Sequence, residues 1–240
     1  MASINGLTLQ SSGPPQAALV VPSALRAPAS AYFHVSALTM LRKSEVLASI
    51  YEKLERILSP HSFKLNKKKQ AFLRKFDGGH HAIYVPLWGH PSQFEFSLSM
   101  TVRLDAAEAI IRKFSPAAPG YESMTETVIF QLMPLTNCRT SDFPVSTHEE
   151  IEKAFVTISE VIKTKVLPLL DDCSNVVGLE RRVNPNKGMS LDSSNPPDNI
   201  FSSLALAHLA GNPRFDELVS AATVASKNLL PSQADSIAQL

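Results

Sequence analysis

Gln93-Phe94-Glu95-Phe96-Ser97-Leu98-Ser99-Met100-Thr101-Val102-Arg103-Leu104 is the stretch whose reading decides the fold. Apolar and polar side chains alternate in it without a miss. Successive side chains of an extended chain point to opposite sides, so one face of this segment is apolar and the other polar. The pattern predicts one long antiparallel strand with a face on a core and a face toward water. Glu95, Ser97, Ser99, Thr101 and Arg103 make up the polar face, which is expected to stand in solvent or to receive a partner.

The preceding residues make this strand the third of a meander. Phe72, Arg74 and Phe76 share one face of a short strand, and Asp77-Gly78-Gly79 is a hairpin turn signal. His80 to Trp88 is the returning strand; Pro86 has no N–H for a ladder, which predicts an edge strand or a bulge. Gly89-His90-Pro91 leads into the quoted segment. Thr127 to Leu135 is apolar on both sides for much of its length and reads as a fourth, more central strand.

Helical spacing of apolar residues predicts helices over 44–58, 105–114 and 147–167. Ser44 is placed to cap the first, Asp105 and Glu108 form a capping box for the second, and Thr147 and Glu150 one for the third. The expected fold is therefore α+β: an antiparallel sheet of about four strands with helices on one face. A C-terminal αα-hairpin follows over 199–240. Residues 1–40, which contain no acidic residue, are expected to be a disordered tail or an extension upstream of a start at Met40. The α+β domain spans 41–172, and 173–198 reads as a polar linker or loop.

Of the 240 residues 44% are hydrophobic, enough for a core, and the net charge of +1 gives no global field toward nucleic acid or membrane. Cys138 and Cys173 form no CxxC pair and read as unpaired thiols of a reducing compartment. No run approaches the roughly 18 apolar residues of a membrane span, so a cytoplasmic protein without a membrane partner is expected.

Charge is concentrated in one place. Lys64, Lys67, Lys68, Lys69, Arg74 and Lys75 lie within twelve residues that contain no acid, flanked by Phe63, Phe72 and Phe76. Lysines neutralise phosphates and aromatic rings stack on bases, so this patch is the candidate for a polyanion or nucleic-acid contact. Lysines at a strand edge also discourage edge-to-edge association without binding anything. His61, His80, His81 and His90 do not converge: His80 and His90 lie at opposite ends of a strand, ~30 Å apart at strand rise. No metal site is expected. There is no G-x-S-x-G elbow, H-E-x-x-H pair or glycine-rich phosphate loop, and no catalytic residue or cofactor is assigned. Asp171-Asp172 reads as a solvated or capping pair.

Leu54-Glu55-Arg56-Ile57-Leu58, then His61-Ser62-Phe63-Lys64, then Phe72-Leu73-Arg74 and Phe94-Glu95-Phe96-Ser97-Leu98 resemble the start of a bacterial domain family of unknown function, number 4304. The likeness extends over about residues 47–172, and Ser62 stands where that family usually has glycine. The resemblance implies a small α+β domain of a kind that includes immunity-like and accessory proteins, with no catalytic residue to carry over. The expected function is a non-enzymatic protein-interaction module, of immunity or accessory type, with a protein partner. A second expectation is a nucleic-acid or polyanion binder through Lys64 to Lys75, with Glu95 and Arg103 of the polar strand face as the remaining binding candidates. A third is an enzyme with an unrecognised site, which would need a pocket lined by a titratable pair such as Arg74 and Glu95.

Overall fold

The computed structural model describes residues 41–115, 120, 125–132, 143–185 and 196–229. The expected tail over 1–40, Cys138 and residues 186–195 of the expected linker lie outside the described residues. The strands are β1 (Lys64–Asn66), β2 (Ala71–Phe76), β3 (Gly79–Tyr84), β4 (Leu87–Gly89), β5 (Phe94–Phe96), β6 (Ser99–Leu104), β7 (Val128–Gln131) and β8 (Phe143–Val145). The helices are α1 (Lys43–Leu58), α2 (Asp105–Phe114), α3 (His148–Val161), α4 (Leu167–Asp172), α5 (Val176–Val183), α6 (Pro196–Ala210) and α7 (Phe215–Leu229). The fold is mixed α and β with antiparallel sheets.

Residues 93–104 are not one strand. Their alternation continues, but the ladder is cut at Ser97 and Leu98, and the halves β5 and β6 belong to different sheets. The cause lies on the opposite strand. Pro86 has no N–H to donate, so β3 ends at Tyr84 and pairing resumes only at Leu87. Across this gap the Pro86 carbonyl accepts the Ser97 N–H at 3.2 Å. One long hairpin is thereby divided into a five-stranded sheet, ordered β1-β2-β3-β6-β7, and a three-stranded sheet, ordered β4-β5-β8. Two sheets replace the expected single sheet of about four strands. β3 is central, because Pro86 falls beyond its end, and β7 is an edge strand, with Ile129 40% exposed.

Asp77-Gly78 makes the predicted tight turn, with Gly78 at φ +80° and Phe76 paired with Gly79. Gly79 is needed for another reason: a Cβ there would fall 1.9 Å from the Arg103 carbonyl oxygen of β6.

One core serves both sheets. Phe96, Leu98, Met100, Val102 and Leu104 are all buried in it, so the apolar half of the alternation keeps its meaning across the break. α1 contributes Val46, Ile50, Leu54 and Leu58, and α3 contributes Ile151, Phe155 and Ile158. Tyr51 meets Phe72 edge-on, with ring centroids 6.2 Å apart. α1 starts after Arg42 rather than at Ser44, with the Glu45 carboxylate accepting the Arg42 N–H at 2.8 Å. The Thr147–Glu150 capping box forms as expected. The helix then runs past Pro168 to Asp172 by widening into a π turn over Ile162–Val166. That widening accommodates the proline's missing N–H.

Val176–Val183, inside the stretch read as a linker, is helical: Asn175 Oδ1 caps it by accepting the Gly178 N–H at 2.9 Å. A Cβ on Gly178 would lie 1.8 Å from the Asp172 carbonyl oxygen, so this tight corner requires glycine. α6 is buried from Ile200 through Ala207 and packs on both α2 and α5. Phe114 stacks on Phe201 at 6.2 Å, and Asn184 Nδ2 donates to the Ser203 carbonyl at 3.0 Å. α7 adds Leu218 and Ala222 to the same cluster. α6 is thus a member of the helical layer and not an appendage.

Candidate polyanion interface

β1 is an edge strand, and the loop between it and β2 is held from within. Asn66 Oδ1 accepts the Lys69 N–H at 3.1 Å, the Gln70 N–H reaches the Lys67 carbonyl at 3.3 Å, and Gln70 closes the turn at φ +50°. The Gln70 carbonyl also accepts the Val85 N–H at 3.0 Å, which fixes the loop to the end of β3. Lys67 and Lys68 are exposed at its tip, with Lys69 half-buried beside them. Lys64 pairs with Leu73, so exposed Lys75 is its diagonal neighbour on the same sheet face. Among the described residues none of these five ammonium groups pairs with a carboxylate.

Arg74 does not belong to this set. Alternation turns it to the core side of β2, where Nη2 lies 2.6 Å from Asp171 Oδ1 at the end of α4. Its Nε donates to His81 Nδ1 at 3.2 Å, and its guanidinium sits over the Phe63 ring at 4.7 Å. His81 is fully buried and meets the Phe76 ring at a tilt, with centroids 4.5 Å apart. Burial first, and Arg74 second, push its imidazole down to about 3. It is therefore neutral, with Nδ1 accepting from Arg74. Asp171 and Asp172 are ion-pair partners, Asp172 taking Arg181 at 3.3 Å and Arg182 at 3.0 Å.

The aromatic neighbours are equally unavailable. Phe63 and Phe72 are buried, and Phe76 is half-buried against His81. The expected interleaving of lysines with exposed rings is a feature of the sequence order only.

The polar face of β6 is closed instead of open. Thr101 and Arg103 are 2% and 7% exposed, and Ser97, just before the strand, is 8% exposed. Arg103 Nε donates to Asp105 Oδ1 at 2.9 Å, and Nη1 donates to the Thr125 carbonyl at 2.6 Å and to Thr125 Oγ1 at 2.7 Å. Glu108, expected as a capping residue, is turned inward: Oε1 accepts from Thr127 Oγ1 at 2.9 Å, Oε2 accepts from Thr125 Oγ1, and Arg103 Nη1 lies 3.5 Å away. Asp105 likewise opens α2 without capping it and serves Arg103. Alongside, Tyr84 Oη donates to Glu126 Oε1 at 2.9 Å, with His80 Nε2 3.5 Å from the same oxygen. Burial and the Glu126 carboxylate raise the Tyr84 hydroxyl pKa. Arg103 is saturated by its own chain and drops out of the candidate interface.

Glu95 stands in the other sheet, accepting from Gln93 Nε2 at 3.1 Å, with His90 Nε2 at 3.2 Å. Arg74 and Glu95 therefore form no titratable pair. A groove of about 690 Å³ between α1 and α3 is lined by Glu45, Glu52, Lys53, Arg56, His148 and Glu152, but Lys53 is already paired with Glu152 at 2.5 Å and Arg56 with Glu52. Burial and neighbouring Asp172 push the Cys173 thiol up to about 12, so it stays protonated at neutral pH. Among the described residues no group of three or more His, Cys, Asp or Glu side chains is arranged to hold a metal, and no helix is long and apolar enough to cross a membrane.

Sequence reading passed over Trp88. It is 47% exposed on β4, opposite Glu95. Its signal was present as a tryptophan just past Pro86, where the strand that would have hidden it ends. No family model, curated protein or solved structure matches the chain.

Proposed function

We propose that the protein is a non-enzymatic interaction module whose contact surface is the β1–β2 edge and whose partner is a polyanion. The observation that carries this reading is the set Lys64, Lys67, Lys68, Lys69 and Lys75, none of which pairs with a carboxylate among the described residues, in a chain of net charge +1. Two reasons for expecting a protein partner are gone: the polar sheet face is occupied by Thr125 and Glu108, and α6 is covered by α2 and α5. The proposed setting is cytoplasmic, which suits Cys173, a buried free thiol. An immunity or accessory role rests on the family resemblance. Ser62 departs from that family's glycine but, at φ +65°, takes the left-handed conformation that a glycine there would favour.

The test is direct binding to a labelled oligonucleotide at low salt. Lys67→Ala with Lys69→Ala should weaken it, because each lost phosphate contact lowers the electrostatic term. No binding by the unaltered chain would remove the proposal.

A further inference from the structure

Resting on that polyanion reading, we infer that the ligand is a single-stranded nucleic acid, with the lysine loop holding its backbone and Trp88 stacking on one of its bases. The placement comes from the hydrogen bond between the Val85 N–H and the Gln70 carbonyl, 3.0 Å long, which fixes the Lys67–Lys69 loop beside the point where the chain leaves β3. Trp88 follows three residues later, and three extended residues span at most about 10 Å. A strand of a few nucleotides is long enough to engage both. Lys64 stands three residues before Lys67, again ~10 Å along the β1 edge, so the basic surface is extended rather than a point. A lone phosphate at one end would leave the other end unused.

Stacking needs an exposed ring, and the three phenylalanines around the lysines are turned into the core. Trp88 is 47% exposed and lies on β4, an outer strand of its sheet. A half-exposed indole offers a large flat surface that every base can use, which makes contact of this kind tolerant of sequence. Bases paired inside a duplex do not present their faces, so Trp88 selects for single strands. Glu95, opposite Trp88, is engaged by Gln93 and His90 and keeps phosphate away from the ring, which places the backbone on the lysine side.

Trp88 is the only tryptophan in the chain, so tryptophan emission, excited beyond the tyrosine absorption band, reports on this site alone. The unaltered full chain is titrated with single-stranded oligothymidylate, with a duplex of equal length and with inorganic polyphosphate while tryptophan emission is read, and the affinities of this chain and of the two variants, which carry no tryptophan, are measured by calorimetry. The expected result is quenching by the single strand only, and about a tenfold loss of single-strand affinity in Trp88→Ala, with Trp88→Phe retaining most of it. Polyphosphate affinity should be equal in all three proteins. If the single strand binds without quenching and Trp88→Ala binds it normally, the stacking inference is overturned while the lysine reading stands. If none of the three ligands binds, both fall.

Discussion

Arg74 and Lys75 are consecutive on β2 and belong to two regions built in opposite ways. Arg74 points into the core and is met on every side, by Asp171, His81 and the Phe63 ring. Lys75 points outward and, like Lys64, Lys67, Lys68 and Lys69, meets no carboxylate among the described residues. Arg103 repeats the inward pattern on β6, held by Asp105, Glu108 and Thr125. The difference teaches where charge is structural and where it is free for a ligand. A buried cation requires partners from its own chain to offset desolvation, and those partners leave it nothing to offer. A solvated lysine with no partner keeps its full capacity for an outside anion.

Breaking the inward set should cost stability and leave polyanion binding unchanged. Arg103→Ala leaves Glu108 buried beside Thr125 and Thr127 without its cation, and thermal or urea unfolding should show a loss of about 3–5 kcal/mol. Arg74→Ala strips one partner from Asp171, which is mostly exposed, and one donor from buried His81; a smaller loss of about 2–3 kcal/mol is expected. Both variants, assayed while folded, should bind an oligonucleotide as the unaltered chain does.

His81 sharpens the comparison through pH. Folding keeps its imidazole neutral down to about 3, whereas the unfolded chain protonates it near 6.5. Between those values the unfolded state binds the additional proton, so stability falls as pH drops from 6.5 toward 3, by about 1.4 kcal/mol per unit. His81→Gln still offers Arg74 an acceptor but does not titrate, so the acid limb of a stability-against-pH curve should flatten by about one proton. An unchanged slope would mean His81 is accessible to solvent. Smallest is the effect of Lys67→Ala with Lys69→Ala on unfolding, which should be barely measurable even though the same pair of changes weakens binding.

Much of this was legible in the sequence, and the omissions have physical causes. The alternation over 93–104 placed Phe96, Leu98, Met100, Val102 and Leu104 in the core, because sidedness is a property of each extended residue. It did not show the break at Ser97, because pairing depends on Pro86 across the ladder. Nor could polarity tell water from an internal partner, so Thr101 and Arg103 were taken for solvent-facing groups when Arg103 in fact serves the segment at Thr125. α5 was missed because Glu180, Arg181 and Arg182 dominate its composition; the weaker spacing of Val176, Leu179 and Val183 was its only apolar signal. The lysine cluster was visible as charge, but Arg74 and the phenylalanines could be sorted from it only once the register of β2 was known.

The central claim is that the lysine edge binds polyanions by charge, and the salt dependence of affinity tests it most directly. Single-stranded ligands lose about 0.7 in the slope of log K against log salt per phosphate neutralised, so contacts from five lysines predict a slope near about −3.5. Lys67→Ala with Lys69→Ala should bring it to about −2. A slope near zero, or one that these two substitutions leave unchanged, would contradict the account.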